Sequence, residues 1–169
     1  MTRTFDVPDA AAMEEFGRRL GAELRAGDLL VLTGPLGAGK TTLTRGIGDG
    51  LGVRGPVQSP TFVLARTHPN LAGGPPLVHV DAYRLESALY LDDLDLDFDR
   101  SVVVVEWGAG LLDGATDSWL EVLIERPEGI AVAPADAADA EHLGADEPRV
   151  LELRGYGPRW AGTPFEASQ

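Results

Sequence analysis

Residues 28–52 read DLLVLTGPLGAGKTTLTRGIGDGLG, and the change of character along them decides the fold. DLLVLTG is an apolar run too short for a helix and closed by glycine, which predicts a buried strand. GPLGAGKT, residues 34–41, matches the pattern G-x-x-x-x-G-K-[ST], in which glycines let backbone N–H groups curl around phosphate oxygens without Cβ clashes. From Thr41 the chain can run as a helix until its glycines break it. Strand, loop and helix in this order predict a phosphate cradle. The helix start adds its positive dipole end, Lys40 bridges the β- and γ-phosphates, and the Thr41 hydroxyl ligates Mg2+. Lys40 is the only lysine in the chain, every other one of its 14 basic residues being arginine. Such a cradle needs a compact ammonium rather than a planar fork.

Mg2+ in a loop of this kind is held with help from an acid on a neighbouring strand. Two acids follow apolar runs: Asp81 after LVHV and Glu106 after VVVV. Glu106 fits better, because its strand is wholly apolar and therefore central, with the carboxylate emerging at the phosphate end of a parallel sheet. Asp81 is left as a partner of the metal site, a contact through water, or the group that orients the attacking water; capping the turn before YRL is the structural alternative. Trp107 either covers the nucleotide or packs over the sheet edge. Arg84 either pairs with Asp81 or approaches the γ-phosphate. SPTF, residues 59–62, follows the loop helix, where such proteins sense the γ-phosphate. Thr61 or Ser59 offers the hydroxyl there, unless Ser-Pro marks only a turn.

Outward from this centre, Asp9 caps a helix with Met13, Phe16, Leu20 and Leu24 on one face, ending at Gly27. TFVLARTH and PLVHVDAY predict a strand pair joined by the turn-forming PNLAGGPP. SALYLDDL reads as a short helix, although LDLDFD alternates with period two. SVVVVEW, DSWLEVLIER and PRVLELRGYG predict three more strands. Residues 127–148 are rich in Ala, Asp and Pro, carry little core-forming content, and are expected to form a mobile acidic loop.

A chain of 169 residues fits one domain, burying roughly two thirds of its unfolded surface. No apolar run approaches the roughly 20 residues of a membrane span, and MTRTFDVPDA lacks the order of a secretion signal, so a soluble, cytoplasmic protein without membrane contact is expected. The absence of cysteine excludes disulfides and thiolate chemistry. His68, His79 and His142 are too scattered to suggest zinc, and each is expected to be structural or exposed. The net charge of −13, from 27 acids against 14 bases, repels phosphate backbones and argues against autonomous RNA or DNA binding. The excess concentrates in ESALYLDDLDLDFD and PADAADAEHLGADEP, read as solvated faces, with docking to a basic partner as the other reading.

With the phosphate loop, SPTF, DAYRL and VVVVEWG in this order, essentially the whole chain resembles the TsaE family, small bacterial ATPases of tRNA threonylcarbamoyladenosine biosynthesis. The resemblance implies a single α/β domain over residues 1–169: a P-loop NTPase three-layer sandwich with a mostly parallel central sheet and antiparallel additions. It also implies slow hydrolysis of ATP with Mg2+, and action on a heterodimer of TsaB and TsaD type proteins. That heterodimer transfers threonylcarbamoyl to adenosine 37 of tRNAs reading codons that begin with A, and ATP turnover resets it. On this mapping Gly37, Ala38, Gly39, Lys40, Thr41 and Thr42 bind the phosphates, and Thr41 and Glu106 hold Mg2+. Lys40, Asp81 and Glu106 then carry catalysis, with Thr61 and Trp107 at the nucleotide. Two departures stand out. Pro35 occupies a position where the family commonly has Asp, and residues 133–147 are longer than the family's usual turn. No nucleotide contact is therefore carried over to the C-terminal strands, Arg149 included.

A small-molecule or nucleotide kinase would share the loop, but the arginines are spread along the chain and no segment pairs them as a phosphate-clamping lid does. A nucleotide-dependent binding module without turnover is the third reading.

Overall fold

Residues Leu29 to Leu32 are buried without interruption, as happens only in a strand flanked on both edges and covered on both faces. They form β2 (Leu29–Thr33), whose parallel neighbours are β5 (Val102–Glu106) and β6 (Trp119–Glu125). The computed structural model describes residues 3–35, 37–53, 55, 65–81, 97, 99–106, 116–126 and 148–166.

The sheet is completed by β1 (Arg3–Val7), β3 (Ala65–His68), β4 (Leu77–Asp81) and β7 (Arg149–Tyr156), in the order β1-β7-β6-β2-β5-β4-β3. β6, β2, β5 and β4 run parallel; β3 pairs antiparallel with β4, β7 with β6, and β1 with β7. This is the mostly parallel centre with antiparallel additions expected from the sequence. β1 was not foreseen: its pattern is largely exposed, and only Val7 is buried. Of the expected strand TFVLARTH, residues 65–68 form β3, whereas residues 61–64, the short helix expected at 87–94 and all but Pro148 of the acidic loop expected at 127–148 lie outside the described residues.

Two helices are described, α1 (Ala10–Glu23) and α2 (Lys40–Leu51). Asp9 caps α1 as its side chain predicts, Oδ1 accepting from the Ala12 N–H at 2.8 Å. Met13, Phe16, Leu20, Leu43 and Ile47 from the two helices join Leu30, Leu32, Val102, Val104, Leu120, Val122, Leu151 and Leu153 in one core. On the opposite face of the sheet Leu29, Val31, Val78, Val80, Val103 and Val105 are buried as well. The parallel centre is thus covered on both sides, the middle of three layers.

The helix expected from Thr41 ends at a glycine, Gly52 with φ +82°, while Gly46, Gly48 and Gly50 lie within it. Gly46 and Gly50 face Gly17 and Gly21 of α1. A Cβ at Gly46 would run into the Glu14 carbonyl, one at Gly50 into that of Arg18, one at Gly17 into that of Leu43 and one at Gly21 into that of Ile47. Each glycine costs the helix roughly 0.5–1 kcal/mol in backbone entropy, which the close approach of two backbones offsets through dispersion and burial.

The start of β2 is fixed separately. Asp28 accepts from Arg159 at both oxygens, 2.8 Å and 3.0 Å, and from the Arg25 N–H at 2.8 Å. This ties the C-terminal segment to the strand that delivers the phosphate loop.

Candidate phosphate-binding site

β2 ends between β5 and β6, and the chain that leaves it builds β3, β4 and β5 on one side before adding β6 on the other. Strand order therefore reverses at its carboxyl end, where open α/β sheets leave a crevice for ligands. The loop GPLGAGK occupies this place. Gly37 and Gly39 adopt φ of +76° and +105°, a region costly for other residues. The Ala38 N–H donates to the Pro35 carbonyl at 3.0 Å.

Lys40 opens α2 and folds back into the loop, Nζ donating to the carbonyls of Gly34 at 2.7 Å and Pro35 at 3.2 Å. Burial lowers the pKa of this ammonium from the ordinary lysine value, while the charges of Glu106 and Asp81 oppose the shift. The site thus holds a partly desolvated cation with two carboxylates in electrostatic reach. Thr41 and Thr42 follow in the first turn of α2, and Thr44 Oγ1 closes the turn by donating to the Lys40 carbonyl at 2.8 Å.

The carboxylates come from the strands on one side. Asp81 ends β4, Glu106 ends β5, and the parallel register sets them opposite each other. Alternation along β5 puts Glu106 on the face of Val102 and Val104, the face that carries the helices. Glu106 is buried at 6 % exposure, and its Oε1 lies 3.0 Å from Nε2 of His79.

Guanidiniums come from the other side. Arg126 follows β6 and Arg149 opens β7, and Nη2 of each donates to the Gly37 carbonyl at 3.3 Å. Spread in sequence, these two arginines meet at the phosphate loop.

The structure therefore gathers Gly37, Ala38, Gly39, Lys40, Thr41, Thr42, Asp81 and Glu106 at one end of the sheet. Thr61 and Trp107, with Ser59 and Arg84, lie outside the described residues. Sequence reasoning missed the contact of His79 with Glu106 and the place of Arg126, and it left Arg149 aside. A signal for the arginines existed: in an antiparallel pair, the residues flanking the connection share one end, and Arg126 and Arg149 are those residues.

An ammonium, a helix N-terminus and two guanidiniums suit a polyanion such as a phosphate chain. A threonine hydroxyl and a carboxylate are hard oxygen donors of the kind Mg2+ takes, the rest of its shell coming from water and phosphate.

The family model for threonylcarbamoyl adenosine biosynthesis protein TsaE matches residues 7–131, a span that includes the loop, Asp81 and Glu106 and stops short of Arg149. The tRNA threonylcarbamoyladenosine biosynthesis protein TsaE of Streptomyces coelicolor is 55% identical over 152 residues, covering 88% of this chain and 94% of that protein. The protein of the same name from Mycobacterium tuberculosis is 53% identical over 132 residues, 73% of this chain and 79% of its own. Among solved structures, Bacillus subtilis YdiB superposes with a TM-score of 0.66 at 25% identity, covering 94% of this chain and 88% of that one.

Proposed function

The chain belongs to the TsaE family of threonylcarbamoyladenosine biosynthesis proteins, and from that premise we propose that it binds and slowly hydrolyses ATP with Mg2+ to support threonylcarbamoyl transfer to tRNA. The observation that carries this reading is Lys40, the sole lysine, held inside a glycine loop at the carboxyl end of the central strand by two loop carbonyls.

On binding, the ammonium exchanges those carbonyls for β- and γ-phosphate oxygens, and the loop backbone from Gly37 to Thr42 with the start of α2 takes the remaining phosphate charge. Thr41 and Glu106 are the residues that would hold Mg2+. Held by them, such an ion would supply charge neutralisation at the phosphate oxygens. Asp81, paired in register with Glu106, takes the task of orienting the attacking water. Thr61 and Trp107 remain assigned to the nucleotide on the strength of their place in sequence.

The partner is the heterodimer of TsaB and TsaD type proteins, and the cytoplasm is the compartment that goes with tRNA modification. Among the described residues, no helix is long and apolar enough to cross a membrane.

The test is phosphate release from ATP, with and without the purified heterodimer. We expect slow release that the heterodimer changes, loss of nucleotide binding in Lys40→Ala, and loss of Mg2+-dependent turnover in Glu106→Ala. Release indifferent to the heterodimer, together with phosphoryl transfer to a small acceptor, would overturn this reading in favour of a kinase. Retained hydrolysis in Glu106→Ala would remove Glu106 from the site.

A further inference from the structure

Neither the sequence nor the family match assigns a task to His79. It sits in β4 (Leu77–Asp81) with 0% of its surface exposed, two residues before Asp81, which is the register partner of Glu106, and opposite Val104 on the same face of the parallel pair. Its Nε2 lies 3.0 Å from Glu106 Oε1, and its Nδ1 is buried without a hydrogen-bond partner.

These two observations decide between the neutral tautomers. A neutral imidazole carries one donor and one acceptor nitrogen. With the proton on Nδ1, a donor would be buried unsatisfied and the Nε2 lone pair would face carboxylate oxygen. With the proton on Nε2, the ring donates to Oε1, and only a weak acceptor is left without a partner. An unsatisfied buried donor is the costlier defect, so the proton belongs on Nε2.

The consequence falls on Glu106. A carboxylate at a strand end has a torsion about which it can swing, and a fully buried ring on the neighbouring strand has no such freedom. One oxygen is thereby committed to His79, and the other is left for the phosphate loop, whose ammonium already feels the charge of Glu106.

We propose that His79 is a positioning residue: its Nε2–H holds Glu106 in the one orientation that serves the phosphate loop. The proposal rests on the reading of that loop as a Mg2+ and ATP site. It divides the labour of the acids, since Glu106 is anchored by His79 while Asp81 stands beside it. Groups that orient a ligand from behind in this way are typically worth about 10–100-fold in metal affinity or activity.

Two measurements test it. The first needs no nucleotide. Nitrogen-15 spectra of the histidine-labelled chain, with the His79 signals assigned by their loss in His79→Gln, should show the proton on Nε2, and those signals should shift in Glu106→Ala. A proton on Nδ1, or signals indifferent to Glu106→Ala, would overturn the proposal.

The second compares His79→Leu, which keeps the volume and loses the donor, with His79→Gln, whose amide nitrogen can reach the same oxygen. With the heterodimer present, His79→Leu should lower kcat by about 10–100-fold while KM for ATP moves by less than about 3-fold. The Mg2+ concentration for half-maximal binding of a fluorescent ATP analogue should rise, and His79→Gln should recover most of both losses. Equal damage in the two variants would reduce His79 to a packing residue and overturn the proposal, as would full activity in His79→Leu. A wild-type chain that binds no ATP with Mg2+ would overturn the reading of the site itself, while the tautomer spectra would still stand.

Discussion

One lysine in a chain that otherwise uses arginine places a demand on shape that charge alone does not meet. Lys40 reaches two carbonyls that lie inside a single turn of the loop, and a guanidinium is too wide and too planar to share that hollow with phosphate oxygens. Lys40→Arg keeps the charge and should still weaken ATP binding by about 10-fold or more, read by calorimetric titration. Unchanged affinity would show that charge suffices. His68 carries a second prediction. Its Nε2 is buried without a partner, and burial first, then the nearby His79 and Arg66, holds its pKa below the ordinary 6.5. The unfolded chain therefore takes up a proton that the folded chain refuses, in the window from pH 6.5 down to the lower folded value. Stability from this residue is complete above pH 6.5 and falls as the pH drops through that window. Urea midpoints measured between pH 7.5 and 5.5 should decline less steeply in His68→Gln than in the wild type; parallel slopes would exclude His68 as the source.

At the scale of elements, the helices and strands divide into those whose pattern is local and those whose pattern is set by a neighbour. β2 and β5 were legible because a run of consecutive apolar residues needs cover on both faces, and α1 because its cap and apolar spacing agree. β1 was not, since an edge strand with one buried residue looks like any polar segment until β7 pairs with it. Inside α2 the reason is related: local propensity counts Gly46 and Gly50 as breakers, whereas α1 brings its own Gly17 and Gly21 against that face, and the helix runs on to Gly52. Gly46→Ala separates the two views. In an exposed helix the change adds up to about 1 kcal/mol of stability. Here the new methyl group meets the backbone of α1 at Glu14, so we expect a loss of about 1–3 kcal/mol from overpacking, measured by urea unfolding. A stabilised variant would mean that the helices can part at no cost. The site was legible to the same extent as the fold: the loop and its acids lie at the ends of patterned runs, while the contact of His79 with Glu106 and the meeting of Arg126 with Arg149 arise only from register between strands.

At the scale of the whole molecule, the few basic groups that matter are gathered where phosphate is expected, and the surplus is acidic. Lys40 holds the Gly34 and Pro35 carbonyls and Arg126 and Arg149 the Gly37 carbonyl of one loop at one end of the sheet, while the chain as a whole carries −13. A ligand small enough to enter that crevice meets positive charge at close range, but a nucleic acid, tens of ångströms long, meets the net field and is repelled. The isolated chain should therefore leave the fluorescence anisotropy of a labelled tRNA unchanged at about 0.15 M salt, where the screening length is about 8 Å. It should bind an ATP analogue under the same conditions. If tRNA enters the assembly through the heterodimer alone, adding this chain should not steepen the dependence of tRNA affinity on salt concentration, because it releases no further counterions from the phosphate backbone. A steeper slope, or binding by the chain alone, would mean that a basic surface has been assembled that the net charge conceals. In that case the acidic chain would have to be counted among the groups that grip the tRNA.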